Sequence, residues 1–224
     1  MTFVKDASAD FAFVALRLIA LLRPARRLLA LACALAAGAA CGGKLTPPGQ
    51  VAPAVSVAPM DLGGQRVLIL PVQASSGLSF NREEVSTEIV AALHARDTRT
   101  QWIDPARLRR SLASSPNFAP DPAALPNDRY EVHGARRIQG PLADAVRRYM
   151  ALTEARLVVI PRSATMMTPD SAAPFVRLNA AVVDARTGYV IWYGEADGTP
   201  APAGDRALIA SAAAALAARL VIPD

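Results

Sequence analysis

The chain has 224 residues, 52% of them hydrophobic and 19% charged, which suits one folded domain with an extension and excludes a generally disordered protein. Its 18 prolines follow no Gly-X-Y period, so a collagen-like chain is also excluded. The net charge is +5, but the first 40 residues hold Lys5 and four arginines against two aspartates. The basic excess therefore indicates an export segment, and no nucleic-acid partner is expected.

The amino-terminal segment has the pattern of a secretory signal peptide. Two apolar runs, Phe11–Leu22 and Leu28–Ala40, flank a cluster of three arginines, and the second run ends in small residues. Arginines at the centre of a membrane are costly, so one continuous membrane-spanning helix is disfavoured. We predict a signal peptide over residues 1–40, with a translation start near Leu22 as an open alternative.

Ala39, Ala40 and Cys41 resemble the end of a bacterial lipoprotein signal, whose invariant cysteine is acylated before cleavage. Gly38 departs from the pattern, which usually has leucine there, and cleavage by ordinary signal peptidase is the alternative. Cys41 would be the single cysteine of the mature chain and so has no disulfide partner. The resemblance implies that Cys41 is lipidated and anchors the protein to a membrane; Gly42, rather than Asp, implies the outer membrane, facing the periplasm.

A proline-rich tether follows Cys41. The 19 residues from Gly42 to Met60 include four prolines and show no apolar period. We predict that residues 41–61 are a disordered tether, which can span roughly 60 Å at about 3.3 Å per residue. A single α/β domain is predicted over residues 62–224.

The domain begins with an aliphatic run, Val67–Val72, which is typical of a strand buried on both faces. Asn81 then predicts a helix start with a capping box to Glu84, and Ser75-Ser76-Gly77 before it is predicted as a turn. A short extended piece precedes Asp104-Pro105, a predicted cap and first residue of a second helix, which runs to Ser114.

Residues 115–139 are rich in proline and form the longest irregular stretch. A third helix is predicted over Pro141–Thr153, and a second buried strand over Leu157–Ile160. Two alternating strands, Phe175–Val183 and Tyr189–Tyr193, read as a hairpin, and a helix rich in alanine ends the chain. This order predicts an α/β domain in which helices pack on a mixed sheet. The predicted core includes Val67, Ile69, Val85, Ile89, Leu157, Val159, Val182 and Trp192.

The order of elements resembles a periplasmic domain shared by the TolB amino-terminal region, the curli-secretion lipoproteins and the lipoprotein activators of penicillin-binding proteins. The segments that carry the resemblance are Val67–Val72, Arg82–Leu93, Ile103-Asp104, Leu157–Ile160, Leu178–Asp184 and Thr187–Trp192. The spacing from Asp184 through Thr187-Gly188 to Trp192 matches a hairpin motif of these families. The resemblance implies a non-enzymatic module that binds a protein partner. The core of auxiliary lipoproteins of lipid-transporting ABC systems begins similarly and is a second possible relative.

The sequence shows no catalytic or metal-binding motif. His94 and His133 are its two histidines and have no further ligand at metal-site spacing, so neither a metal nor a cofactor is expected. His94 is instead expected near the carboxyl end of the first helix. Glu83 and Glu84 are interpreted as first-turn carboxylates that stabilise the helix through a favourable interaction with its dipole.

The predicted partner contact lies on the stretch from Ser115 to Gly140. Binding residues concentrate on loops held by a rigid scaffold, and this loop carries two aromatic and two basic candidates: Phe118, Tyr130, Arg136 and Arg137. A disordered insertion is the competing interpretation. Shortening 115–127 is expected to leave Tm nearly unchanged, because loop length alters closure entropy only slowly.

Three functions therefore stay open. The leading one is a membrane-anchored envelope lipoprotein that is accessory to envelope assembly or secretion and binds a protein partner. A lipid-handling subunit of an export system would need an apolar groove, and an unrecognised hydrolase would need a polar cleft with perturbed ionisable groups.

Overall fold

The computed structural model describes residues 57–126, 137–170 and 172–224. The signal peptide, Cys41 and most of the predicted tether lie outside the described residues, as do Tyr130 and Arg136. The described chain forms six strands and four helices. In order they are β1 Arg66–Ile69, β2 Ala74–Ser76, α1 Arg82–Arg96, β3 Gln101–Ile103, α2 Pro105–Ala113, α3 Gly140–Thr153, β4 Leu157–Met167, β5 Phe175–Asp184, β6 Val190–Asp197 and α4 Ala207–Leu220.

The strands form one mixed sheet in the order β3-β1-β4-β5-β6, with β2 paired to the distal half of β4. β1 is parallel to both β3 and β4, whereas β5 and β6 are antiparallel additions. The predicted fold class, helices packed on a mixed α/β sheet, is confirmed.

Two apolar clusters fill the two faces of the sheet. Val67 and Ile69 of β1 point into a cluster with α1 and α4, while Leu68 and Leu70 point into a cluster with α2 and α3. The continuous aliphatic run is therefore buried on both faces, as its lack of alternation predicts. All eight predicted core residues are buried, and all lie in the cluster under α1 and α4.

β4 and β2 depart from the expected boundaries. β4 continues past Ile160 to Met167. Pro161 has no N–H but does not end the strand, because it lies at a register shift between Pro161 and Ser163. The residues predicted as a turn instead pair with this extension, with Ser75 opposite Ala164. Gly77, at φ +70°, supplies the turn one residue later.

The helix caps are only partly as predicted. Asn81 Oδ1 accepts from the backbone N–H groups of Glu83 and Glu84, and the Glu84 carboxylate accepts from Asn81 N, so the capping box is confirmed. Asp104 occupies the cap of α2 but makes no capping hydrogen bond. Its carboxylate lies 2.9 Å from Nε2 of His94, in the last turn of α1.

The two ends of the described domain meet at the amino edge of the sheet, where β1 and β3 begin. Met60 N donates to Leu220 O, and Ile222 N donates to Met60 O, so the domain is already ordered at Met60. The carboxylate of Asp224 accepts from Thr98 N at 2.7 Å and from Arg99 Nε at 2.8 Å. Met60, the first residue of the described domain with these bonds, is therefore fixed to the carboxyl-terminal residues.

Candidate functional site at the carboxyl edge

The opposite edge, where β1 and β3 end, carries the first half of the predicted contact loop. We call residues 115–126 the edge loop. Side chains from three parts of the fold bind four of its backbone carbonyl oxygens. A loop held at this many points is a fixed surface rather than a spacer.

Gln73 is the central anchor of the edge loop. Its side chain is buried, and its amide nitrogen donates to Pro71 O at 2.7 Å and to Pro122 O at 2.8 Å. Its amide oxygen accepts from Leu125 N at 3.2 Å. One side chain therefore links the end of β1 to two residues of the loop. Removing it would leave buried donors and acceptors without partners, which costs stability.

Arg82 and Tyr149 complete the attachment. The Arg82 guanidinium donates to Gln73 O and Ala123 O, at 2.9 and 3.0 Å. The Tyr149 hydroxyl donates to Pro120 O at 2.8 Å, and burial raises the pKa of this hydroxyl above its ordinary value. Tyr149 therefore stays a neutral donor throughout the physiological pH range.

Phe118 of the edge loop is 42% exposed, which is large for an aromatic residue. Asn117 before it has φ +72°, a left-handed conformation that asparagine tolerates better than most residues. Arg148 of α3 donates to Phe118 O at 3.0 Å. The backbone that carries the ring is therefore fixed while the ring itself faces solvent.

A cleft of about 490 Å³ opens beside the loop, between the amino-terminal halves of α1 and α2. Pro71, Val72 and Val90 contribute apolar lining. Polar side chains form much of the rest, and two of them, Glu83 and Arg109, bridge the helices at 2.8 Å. Both carboxylates of the cleft are paired, since Asp104 is bound to His94.

A second hollow of about 250 Å³ lies between α2 and the edge loop. Leu112, Pro116 and Pro120 are among its lining residues. Arg109 lines both hollows, so the two are neighbours along α2.

The structure separates the predicted contact residues. Phe118 lies on the edge loop, but Arg137 lies beside the β5–β6 hairpin, where its guanidinium stacks over the Tyr189 ring at 5.5 Å from the centroid. Leu125 and Pro122 are buried, so the first half of the stretch is not a disordered insertion. Shortening 115–127 should therefore lower Tm, which revises the expectation from the sequence that Tm would stay nearly unchanged.

Gln73, Arg82 and Tyr149 were not singled out as functional from the sequence. Tyr149 faces inward from α3 and is buried. Neither a glutamine after a strand nor an arginine in a first helical turn predicts a loop anchor. Their partners in the edge loop are backbone carbonyl oxygens 41 to 49 residues away.

Within the described ranges, no group of three or more histidine, cysteine or acidic residues is placed to hold a metal ion. None of the helices described has the length and apolar character needed to span a bilayer.

No family model matches the sequence, and no curated protein matches it. Solved structures with a similar fold include the carboxyl-terminal domain of LpoB from Salmonella enterica, 19% identical with a TM-score of 0.40, over 62% of this chain and 86% of that one. Lipoprotein GNA1162 from Neisseria meningitidis is 14% identical with a TM-score of 0.38, over 62% and 83%. The PelC dodecamer from Paraburkholderia phytofirmans is 13% identical with a TM-score of 0.38, over 74% and 95%. These likenesses are distant, and no residue role is transferred from them.

Proposed function

We propose that this chain is an envelope lipoprotein, anchored through acylated Cys41 in the outer membrane, whose non-enzymatic domain binds a protein partner in envelope assembly or secretion. The contact is proposed to lie on the edge loop, with Phe118 as its apolar anchor. This retains the leading function suggested by the sequence and moves the contact away from Arg137.

The observation that carries the proposal is the placement of two features at opposite edges of the sheet. Met60, at the end of the predicted tether, is bonded to the carboxyl-terminal residues Leu220 and Ile222, whereas the edge loop packs on the other ends of β1 and α1. α1, with its 15 residues, is about 22 Å long at 1.5 Å per residue and separates them. A domain suspended at one edge leaves the other edge accessible to a partner.

The edge loop also has the physical properties of a binding surface. Four of its carbonyl oxygens are bound by side chains before any partner arrives, so less backbone entropy remains to be lost on association. The exposed ring of Phe118 then offers apolar area that a partner can bury, and aromatic residues are frequent anchors of interfaces.

The cleft gives less support to the two other functions. A lipid-handling subunit needs an apolar groove, but charged side chains of Arg82, Glu83 and Arg109 line this cleft. A hydrolase needs a free nucleophile beside an acid or base, but the Ser86 hydroxyl of the cleft donates to Arg82 O and Glu83 is bound to Arg109.

The partner contact is tested with a photo-crosslinking amino acid placed at position 118 in living cells. Ile222 is a matched control, because it is 44% exposed, also large and apolar, and lies at the amino edge. We expect a discrete crosslinked protein from position 118 and none from position 222. Crosslinks from 222 alone would contradict the assignment of the contact to the edge loop.

The anchor is tested separately with Cys41→Ser. We expect the variant to lose the mass of the acyl chains and to leave the membrane fraction or remain uncleaved, since the thiol is the site of acylation. An unchanged mass and an unchanged membrane partition would refute lipidation at Cys41 without bearing on the edge loop.

A further inference from the structure

The second hollow, between α2 and the edge loop, has a wall that is more apolar than polar. Five of its nine lining residues are apolar. Three of these five are prolines, which carry no backbone N–H group: Pro116, Pro120 and Pro122. The other two, Leu112 and Ala119, pack against the apolar cluster under α2 and α3. A partner therefore meets carbon surface here and few backbone donors.

Backbone carbonyl oxygens around the second hollow already have donors. Three of them accept from side chains of the scaffold: Phe118 O from Arg148, Pro120 O from Tyr149 and Pro122 O from Gln73. Leu112 O accepts from Ser115 N at 2.9 Å, and Asp121 O accepts from Ala124 N at 3.1 Å. An added strand binds through unpaired backbone groups. The hollow therefore suits an inserted side chain better than a strand.

The charges of the residues that line the second hollow sum to zero. Arg109 and Asp121 are its two charged residues. Arg109 is paired with Glu83 at 2.8 Å, and Asp121 Oδ1 accepts from Ala123 N at 2.9 Å. A charged group that entered the hollow would lose hydration and would meet both signs of charge, and burying such a group is costly. The electrostatics therefore favour a neutral occupant.

The volume of the second hollow suits a single side chain. It measures about 250 Å³. An apolar cavity of about 150 Å³ accommodates benzene, whereas pockets for drug-sized ligands span about 300–1,000 Å³. One leucine, methionine or phenylalanine side chain therefore fits, and a cofactor-sized molecule does not.

We propose that the protein partner inserts one apolar side chain, of the size of leucine or phenylalanine, into the second hollow and covers the adjacent Phe118 ring. This inference rests on the proposed function and specifies the chemistry of the contact. Asn117 and Ala119, on either side of Phe118, both line the hollow, so the ring and the hollow belong to one surface. A filled pocket whose neighbouring contacts exclude water is the usual arrangement of an interface hot spot.

A second copy of this chain is a less suitable occupant. A stable dimer buries about 800 Å² on each partner. Within the described residues, Phe118 is the one large apolar side chain of the edge loop that is exposed. One exposed ring and one hollow suit a single inserted side chain better than the broad face of a second copy.

The test introduces a thiol at the second hollow with Ser115→Cys, in the full-length chain in lipid nanodiscs. The probes are small disulfides that carry an isobutyl group, a carboxamide of similar shape, a carboxylate or an ammonium group. The protein thiolate attacks the probe disulfide, one half of the probe becomes bonded to the protein, and the other half leaves as a thiolate. Intact mass gives the modified fraction under excess mercaptoethanol, and the parent chain gives the background. We expect the isobutyl probe to exceed each polar probe by at least about fivefold, because its carbon surface is buried.

Ser114→Cys is the matched control, because Ser114 is exposed at the end of α2 and does not line the second hollow. The isobutyl and carboxamide probes should modify it equally. Ala119→Leu, added to Ser115→Cys, should abolish the isobutyl preference because it fills the hollow from its wall. Ala124→Leu should retain the preference, since Ala124 is exposed on the same loop outside the hollow. The inference is overturned if Ser115→Cys shows no isobutyl preference, if Ser114→Cys shows an equal one, or if a charged probe is preferred.

The two proposals fail in distinguishable ways. In cells, Ala119→Leu should remove the crosslinks from position 118, and Ala124→Leu should not. Crosslinks that persist in Ala119→Leu would leave the proposed function standing and overturn the insertion into the hollow. An isobutyl preference without any crosslink from position 118 would remove the proposed function, and with it the partner as occupant. Light scattering that shows a dimer of the parent chain but a monomer of Ala119→Leu would overturn the inference in favour of a second copy.

Discussion

The two edges of the sheet each anchor an irregular segment, but with different kinds of side chain. Two buried polar residues lie at each edge: Gln73 and Ser86 at the carboxyl edge, and Asp97 and Thr100 at the amino edge. At the carboxyl edge two neutral side chains, Gln73 and Tyr149, and two arginines bind backbone carbonyl oxygens rather than carboxylates. At the amino edge the anchors are mostly carboxylates.

Asp97 and Asp224 organise the amino edge. Asp97 is buried and accepts from Arg99 N and from the Thr100 hydroxyl, at 2.9 and 2.6 Å. Asp224 is more exposed and binds Thr98 and Arg99. Exposed ion pairs contribute little and are screened by salt, whereas buried hydrogen bonds are costly to break. The edge that we propose as the binding surface is thus the edge with the less salt-dependent attachment.

The largest expected effect comes from a residue on which both edges depend. Ile69 is 1% exposed at the end of β1, in the cluster under α1 and α4. Ile69→Ala should cost about 2–5 kcal/mol of unfolding free energy, because the transfer energy is lost and a cavity remains. Urea denaturation measures this change. A loss below about 0.5 kcal/mol would mean that β1 is not central to the fold.

Gln73→Ala separates the edges. It leaves Pro122 O and Leu125 N without their buried partner, and we expect a loss of about 2–4 kcal/mol. Hydrogen exchange should speed up at Leu125 N–H but not at Thr98 N–H, which belongs to the amino edge. Gln101→Ala is the control, since Gln101 is exposed and its side chain accepts only from Arg66 among the described residues. Equal acceleration at both amides would contradict independent edges.

Local sequence patterns predicted the helices and strands better than the long-range pairings and hydrogen bonds that join them. Strand β1, the capping box of α1 and the hairpin of β5 and β6 follow from local patterns, because apolar period, caps and turn residues act within a few positions. The extension of β4 past Pro161 did not follow, since proline normally ends a strand and only the pairing with β2 and β5 shows the bulge.

The candidate site was predictable in position but not in detail. A long proline-rich stretch between α2 and α3 indicated a functional loop, and Phe118 lies on it. The bonds that fix the loop join a side chain to a distant carbonyl oxygen, and a carbonyl is present at every residue, so no residue type marks the partner. His94 illustrates the same limit, because its pairing with Asp104 depends on how α1 meets α2.

Tyr149→Phe tests one attachment of the edge loop with a smaller effect. The variant loses the hydrogen bond to Pro120 O, worth about 1 kcal/mol near neutral pH. Burial raises the pKa of the Tyr149 hydroxyl in the folded protein. Its stabilising contribution is therefore complete below the unfolded pKa of about 10 and is lost as pH rises through the folded value.

The parent chain should accordingly lose stability relative to Tyr149→Phe when thermal unfolding is followed from pH 8 to about pH 11. Burial also raises the pKa of Tyr193, but Tyr193 is present in both proteins and cancels in the comparison. A difference between the two proteins that does not change with pH would show that Tyr149 is not buried as described.

The smallest effect is expected at the amino edge, from Asp224→Asn. Hydrogen bonds from the hydroxyl and backbone N–H of Thr98, together with that from the Arg99 guanidinium, lower the pKa of the Asp224 carboxyl. A lowered folded pKa gives stability that is present above the unfolded value of about 3.9 and is lost as pH falls through the folded value. The parent chain should therefore have the higher Tm at neutral pH, and its advantage should shrink below about pH 4 and in high salt.

Asp170→Asn is the control, because Asp170 is exposed and has no ion pair with a described residue. The Tm of this control variant should follow that of the parent chain at each pH. An Asp224→Asn difference that persists in acid would show that shape, rather than charge, closes the amino edge, and the contrast between the two edges would then be lost.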